Sequence, residues 1–394
     1  MKILAINSGS SSLKLTLFDF KKTAVELAKI HLDGIGQKNC RFTFKSADKN
    51  IGQNMHIKNH EAGLKFALQL LQKHGPIKNP AEIDRVGHRV VHGGEKYTKA
   101  SLIDAQLIKT VEKLSNLAPL HNPINLETIK ACKKLLPRIW QIAVFDTAFH
   151  QTMPEKAFLY GLPYKLYEKE KIRRYGFHGI NHQYVTEKTL KLLKKKNPKI
   201  ISCHLGNGSS ITASINGKSI DTSMGFTPLE GVIMGTRSGS IDPAITFHLQ
   251  HNLKMKPDSV DHLLNYESGL LGLSGISSDM RDIYHSIKKN HEKAQLAIEI
   301  LAYQIAKYCG AYAAAMQGLD AIIFTGGLGE KAFYVREKVC EYLNFLSIKL
   351  DKKKNEKATK IEDLAEISHH KSKIKIFVIA ANEAMQIAKE TKNF

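Results

Sequence analysis

The sequence predicts an α/β protein built from two related domains, and three observations carry that prediction. Near the middle of the 394-residue chain, the apolar run Lys199 to Cys203 leads into His204-Leu205-Gly206-Asn207-Gly208-Ser209-Ser210 and then into alternating Ile211 to Ile215. Strand, glycine turn, strand is the reading such a pattern supports. The same design opens the chain, with Lys2 to Ile6 as a buried strand, Asn7 to Ser12 as a polar turn and Leu13 to Phe18 as an alternating strand. Gly9-Ser10-Ser11 corresponds to Gly208-Ser209-Ser210 about half a chain later, a spacing too long for a solenoid and suited to a duplicated domain. Finally, the length is that of two domains, each able to bury its own core.

Each hairpin is a candidate phosphate cradle. Gly206 and Gly208 allow a tight turn whose N–H groups approach an anion, and Asn207, Ser209 and Ser210 add donors. A plain hairpin is the rival reading of either turn alone. Two such hairpins facing across a cleft would hold a nucleotide's phosphates.

Past the first hairpin, Val25 to Leu32 and Arg41 to Phe44 extend the first sheet, and Leu64, Ala67, Leu68 and Leu71 mark one face of a helix that Gly75-Pro76 ends. Asp84 to Gly94 is a short strand carrying Arg89 and closing on Gly-Gly, which puts a cation where backbone can crowd a ligand; a salt-bridged strand end is the alternative. His88 and His92 are too far apart on a strand to share a metal. Ala118 to Pro123 reads as a turn before a helix from about Leu126 to Lys134. The strand Ile139 to Val144 ends on Asp146, a catalytic or metal-shell candidate at the carboxyl end of a strand, with helix capping as its alternative.

A composition shift places a domain boundary near residue 150. Arg173-Arg174-Tyr175-Gly176-Phe177-His178-Gly179 follows, and its glycines argue against a helix through His178, favouring an anion-binding histidine over a metal pair with His182. Asp221 to Pro243 is a long glycine-rich loop with Arg237 between Gly235 and Gly239, costly to order and therefore a functional candidate. Another Gly/Ser loop runs from Ser268 to Arg281. Ala294 to Met316 is a small-residue helix of the core or of a subunit interface. Leu319 to Phe324 is a buried strand running into Gly326-Gly327-Leu328-Gly329-Glu330, bare backbone fit to pack on a base and ribose. Ile374 to Ala381 is a strand, and Asn382-Glu383 caps a closing helix.

Composition excludes several classes. The chain is 43% hydrophobic and 24% charged, the balance of a globular protein, and no apolar run reaches the ~18 residues of a membrane span. Met1 to Ile6 is too short for a signal peptide, and the five scattered cysteines argue against disulfides and structural zinc, so a cytoplasmic location is expected. Nine of the 58 basic residues are arginine and the formal net charge is +21. The lysines cluster without aromatics between them, so neither nucleic acid nor membrane is an expected partner. Arg89, Arg173, Arg174, Arg237 and Arg281 all fall in the polar glycine-rich segments, where bidentate anion recognition needs arginine.

Taken in order, N-S-G-S-S-S-L-K at 7–14, H-R-V-V-H-G-G at 88–94, P-L-H-N-P at 119–123, F-D-T-A-F-H at 145–150 and R-R-Y-G-F-H-G at 173–179 resemble the acetate kinase family. H-L-G-N-G-S-S, D-T-S-M-G-F-T-P-L-E-G, M-G-T-R-S-G, F-T-G-G-L-G-E and N-E at 382–383 continue the match nearly end to end. The resemblance implies duplicated RNase H-like, actin-like ATPase domains with an active-site cleft between them: residues 1–149 with 383–394, and 150–382. It also implies reversible phosphoryl transfer between ATP and acetate, giving acetyl phosphate and ADP, with Mg2+ or Mn2+. By the resemblance Asn7 and Glu383 serve the metal, and Arg89, Asp146, His178 and Arg237 are catalytic. Arg89, Val91, Leu120, Phe177 and Pro228 contact acetate. ATP is bound by Ser10, Ser12, Lys14, His204, Leu205, Gly206, Asn207, Gly208, Asp279, Met280, Arg281, Gly327, Leu328, Gly329, Glu330 and Lys331. The chain departs from the family's common residues at Ile124, Ile180, Asn181, Ser240 and Lys331. A homodimer through the Ala-rich helix is a further expectation. A propionate kinase and a non-kinase ATPase module are the competing functions.

Overall fold

Strand β1 (Lys2–Ser8) is apolar on both faces, with Ile3, Leu4, Ala5 and Ile6 all at most 2% exposed, the pattern of a strand covered on both sides. The computed structural model describes residues 1–119 and 121–394, and these divide into two units, residues 1–151 with 382–394, and residues 152–381. In the first unit β1 pairs antiparallel with β2 (Ser12–Phe20), which continues outward through β3 (Ala24–Asp33), β4 (Cys40–Ser46) and β5 (Asn50–Met55). On its other edge β1 runs parallel to β6 (Arg85–Val90), followed by β8 (Trp140–Phe145), while β7 (Ser101–Leu102) closes the sheet; the order is β5-β4-β3-β2-β1-β6-β8-β7.

The closing helix Glu383–Asn393 lies on β1 and β6. Gly87 makes that approach possible, because a Cβ there would fall 2.1 Å from Thr391 Oγ1. The helix Asn122–Leu135 begins a full turn before the expected Leu126. Pro123 does not delay it, since a first-turn residue needs no N–H partner and proline's fixed φ suits the position.

The second unit repeats the path. β9 (Lys199–Leu205), β10 (Ser209–Ile215) and β11 (Lys218–Thr222) are successive antiparallel neighbours, and β12 (Ala321–Thr325) and β14 (Lys375–Ile379) add in parallel on the other side of β9, with β13 (Leu364–Glu366) at the edge. The series β3-β2-β1-β6-β8 and β11-β10-β9-β12-β14 are thus the same walk, so the fold is a duplicated mixed α/β sheet. The two glycine turns are not superimposable in register. Residues 9–12 lie between the paired Ser8 and Leu13, but only 206–208 lie between Leu205 and Ser209. Ser209 and Ser210 therefore stand inside β10, where Ser10 and Ser11 stand in the turn.

The helix Glu292–Met316 buries Ala294, Ala297, Ala302, Ala306 and Ala313 in the core of this unit; its small residues let the helix approach the sheet. Gly326–Lys331, expected as bare loop, is a short helix springing from Gly326 at φ 80°. Part of the second Gly/Ser loop is likewise helical, over Gly269–Ser274. Residues 223–242 form no helix or strand, as the composition predicts. Among the described residues no helix is long and apolar enough to cross a membrane.

Candidate functional site

In the first unit the carboxyl ends of β1, β6 and β8 and the start of the closing helix bring four polar side chains together. Arg89 donates from Nε and Nη2 to Asp146 Oδ2 at 3.0 and 2.6 Å, and from Nη1 to Asn7 Oδ1 at 3.2 Å. Asn7 Nδ2 donates to Glu383 Oε2 at 2.8 Å, and that oxygen lies 3.5 Å from Arg89 Nη1. Burial opposes the Arg89 charge, but the carboxylates of Asp146 and Glu383 outweigh it and raise its pKa above the ordinary value. Glu383 also occupies the first turn of its helix behind the cap Asn382, whose side chain accepts from Met385 N.

Lys14 is exposed directly across the hairpin from Asn7. The turn between them is braced from outside: Gly34 and Ile35 donate to Ser11 O, and His60 Nε2 lies 2.8 Å from Gly9 O. Ser10 is exposed at its tip, Ser12 half-buried. Asn125, which the sequence reading passed over, ties the strand ends together, accepting from Val91 N and donating to Ser8 O and Oγ. Val91 is 4% exposed. Leu120 lies outside the described residues.

This cluster accommodates a hard divalent cation in its chemistry. Glu383, Asp146 and Asn7 present oxygen donors in one network. Among the described residues no group of three or more His, Cys, Asp or Glu could hold a metal, so an ion here would take most of its ligands from water and phosphate, as Mg2+ commonly does.

His88 and His92 flank Arg89 but carry no charge at neutral pH. Burial pushes each down to about 4, opposed for His88 by its 3.0 Å hydrogen bond with Gln141 Oε1. The unfolded histidines titrate near 6.5, so between pH 6.5 and 4 the unfolded chain binds protons that the folded chain refuses, and stability falls as pH falls. Each contributes a loss of about 2 kcal/mol by pH 5. Urea unfolding at pH 7 and pH 5 should show His88→Gln losing about 2 kcal/mol less than the parent; equal losses would refute the assignment.

In the second unit His178 and Arg237 converge on the turn of β9 and β10. A Cβ placed on Gly208 would lie 3.4 Å from both Arg237 Nη1 and His178 Nε2. His178 has φ 83° as the cap of the helix Gly179–Leu193, its ring stacks on His204 at 4.4 Å, and its Nδ1 is 2.9 Å from Ser210 Oγ. Arg237 donates from Nη1 to Pro228 O at 3.3 Å, and burial lowers its pKa. Among the described residues it has no carboxylate partner, so it is a largely buried cation without a counter-ion from the chain. Phe177 is fully buried and Pro228 half-buried.

Of the other nucleotide candidates, those at 327–331 begin beside the same turn. A Cβ on Gly326 would meet Leu205 O at 2.6 Å, so the helix carrying Gly327, Leu328, Gly329, Glu330 and Lys331 starts against the end of β9. Arg336 fixes the far end of that helix. It is fully buried, donates to Gly329 O, Glu330 O and both the carbonyl and the side-chain oxygen of Asn355, and left no sign in the sequence because these partners are neutral oxygens rather than a carboxylate. Lys331 Nζ donates to Thr359 O, and Glu330 accepts from Ala381 N. Asp279 caps the helix Met280–Ile287 and pairs with the exposed Arg281, while Met280 is buried and its carbonyl lies 3.4 Å from Tyr334 OH.

Three expectations need correction. Ser209 and Ser210 are at most 1% exposed; the first closes the turn on Gly206 and the second meets two histidines, so neither is a free phosphate donor. Arg173 is buried with its guanidinium 3.6 Å from the Phe158 ring centre, a packing role. Arg174 reaches the carbonyls of Thr222, Ser223 and Met224 and the carboxylate of Glu230, which Tyr160 also holds at 2.5 Å; it orders the loop leading to Arg237.

Comparison with known proteins gives one consistent result. A model of the acetokinase family matches residues 2–389. The acetate kinase of Thermotoga maritima is 50% identical, over 100% of this chain and 98% of its own length. The crystal structure of Porphyromonas gingivalis acetate kinase is similar at TM-score 0.91 and 42% identity, covering 100% of this chain and 99% of its own. A propionate kinase from Francisella tularensis subsp. tularensis SCHU S4 is similar at TM-score 0.93 and 40% identity, with the same coverage.

Proposed function

The chain belongs to the acetokinase family, and from that premise we propose how its residues divide the work of an acetate kinase, a phosphotransferase acting on a carboxylate with ATP. Acetate is ionised at neutral pH, so its attacking oxygen needs no general base. Asp146, bound to Arg89, accordingly orients that guanidinium and takes no proton. Arg89 holds the acetate carboxylate, and Asn7 and Glu383 hold the divalent cation, Mg2+ in this reading. When bound, that ion supplies positive charge to the phosphates of ATP.

Two anions must be brought together, so catalysis is charge neutralisation and alignment rather than proton transfer. Arg237, a largely buried cation with no carboxylate partner among the described residues, is the observation that carries this reading: it matches charge gathering on a transferring phosphoryl group. His178 donates beside it, and the turn His204 to Gly208 with the helix start at Gly327 binds the nucleotide. Among the expected ATP contacts, Lys14 and Ser10 have the exposure to reach phosphate.

A propionate-directed activity is the second reading, favoured by the likeness to the Francisella enzyme. One methylene is worth about 1–3 kcal/mol in an apolar pocket, so the choice is quantitative. Hydroxylamine trapping decides it: protein, ATP, Mg2+ and acetate, propionate or butyrate, with no-metal controls. Metal-dependent acetohydroxamate in clear excess is expected. A propionate preference would keep the mechanism and change the substrate, and no hydroxamate from any acid would overturn the reading.

A further inference from the structure

The loop that carries Arg237 begins with an excursion closed by one hydroxyl. Tyr160 Oη accepts from Phe226 N at 2.9 Å and donates its own hydrogen to Glu230 Oε2 at 2.5 Å, so both ends of the stretch Phe226 to Glu230 are tied to a single atom. The other carboxylate oxygen, Glu230 Oε1, accepts from Arg174 Nη2 at 2.6 Å, and Arg174 Nη1 reaches the carbonyls of Thr222, Ser223 and Met224. Gly225 leaves room for this arrangement, because a Cβ there would fall 1.7 Å from Glu230 Oε2 and 2.2 Å from the Tyr160 hydroxyl. Burial, helped by the Glu230 charge, raises the Tyr160 pKa above its ordinary value, so the phenol keeps its hydrogen and stays a donor.

Between the tied ends stand Thr227, Pro228 and Leu229, and Leu229 N donates to Thr227 Oγ1 at 3.3 Å. With φ at Pro228 fixed by its ring and the chain held on both sides, the Pro228 carbonyl has little freedom to turn. That carbonyl accepts from Arg237 Nη1 at 3.3 Å. A neutral oxygen suits the place: it orients the guanidinium and leaves its charge uncancelled, as a carboxylate would not. Glu230, the one carboxylate of the stretch, is engaged by Arg174 and Tyr160 instead. The chain beyond is closed as well, since Gly231 N donates to Ser240 Oγ at 3.1 Å and Ser240 N to Gly231 O at 2.8 Å, with Arg237 between them in sequence.

We propose that Tyr160, Arg174 and Glu230 are positioning residues for phosphoryl transfer, a clamp that holds Pro228 so that its carbonyl aims the Arg237 guanidinium. The proposal rests on the reading that Arg237 meets the transferring phosphoryl group. None of the three clamp residues needs to touch a substrate. Their effect on the reaction passes through one carbonyl, so it exists only while Arg237 is there to receive it. A residue that merely stabilised the fold would lack that dependence.

Steady-state kinetics on the full chain, with circular dichroism to show folding, test this through double-mutant cycles with Arg237. Tyr160→Phe removes the hydroxyl and keeps the ring. It should lower kcat about tenfold, the effect of a hydrogen bond to a charged group, with KM for ATP within about twofold. Glu230→Gln should give a loss of similar size and carries the test if Tyr160→Phe does not fold. In an Arg237→Ala background either substitution should change kcat less than about twofold, because the group being aimed is gone. An unchanged kcat in both single variants would overturn the proposal, and so would the same tenfold loss with and without Arg237. Arg237→Ala separates the two levels: full activity there removes the role of Arg237 itself and the clamp with it, while a large loss with silent Tyr160 and Glu230 variants removes only the clamp.

Discussion

Arg237→Ala is expected to lower kcat by roughly a thousandfold while leaving KM for acetate within about threefold. The guanidinium is largely desolvated, its pKa lowered by burial, and among the described residues it donates to a carbonyl at 3.3 Å and to the Met234 sulfur. Such a group gains most when negative charge gathers beside it, which happens as the phosphoryl group flattens between donor and acceptor. Interactions strengthened only then appear in kcat and not in ground-state binding. Arg237→Lys should recover part of the loss, since the charge returns without the planar fork. Steady-state kinetics with both substrates varied checks the split, and a rise in KM at constant kcat would remove Arg237 from the transition state.

Arg89→Ala should behave differently, damaging folding as well as activity. Asp146 is 1% exposed and accepts two hydrogen bonds from Arg89 at Oδ2, so removing the cation takes both from a buried carboxylate at a cost of about 3–5 kcal/mol. Arg89→Ala/Asp146→Ala should be more stable than the single Arg89 variant, because the buried carboxylate goes with the cation it faced, and the double-mutant cycle should show coupling of about 2 kcal/mol. On activity, loss of the carboxylate-holding group should raise KM for acetate at least about a hundredfold, unlike Arg237→Ala. Chemical unfolding of the three variants with acetate titrations gives both numbers. Strict additivity of the two substitutions would show that Asp146 answers to something other than Arg89.

Arg89 and Arg237 stand out in the sequence for a local reason: each is an arginine set among glycines at the end of a strand or in a long loop, and neighbours in the chain supply that context. Arg173 and Arg174 had the same local context, and the chain itself occupies them, as Asp146 and Glu383 occupy Arg89. Arg173 lies over the Phe158 ring and Arg174 meets Glu230, 56 residues on. Residue type and glycine content say where a cation can meet an anion, but not whether the chain itself provides one.

The alternation of Leu13 to Phe18 and Ile211 to Ile215, the glycine turns and the recurrence half a chain apart were enough to establish a duplicated α/β chain, since side-chain period and backbone permissiveness act over a few residues. The ordered motifs were enough to name the family. Folding settled what depends on partners far along the chain. Ser209 and Ser210 look like phosphate donors until strand pairing places them inside β10. The glycines at 326–329 look like open loop until Arg336, itself held by Asn355, gathers the carbonyls of Gly329 and Glu330 at the end of a short helix. His182, which the glycines around His178 already argued against as a metal partner, has both of its nitrogens within hydrogen-bond distance of Ser202 and Ser210, 20 and 28 residues away, partners that the sequence does not reveal. A hydrogen bond has a limited number of donors and acceptors to share, and which groups share them is settled only when distant segments pack together.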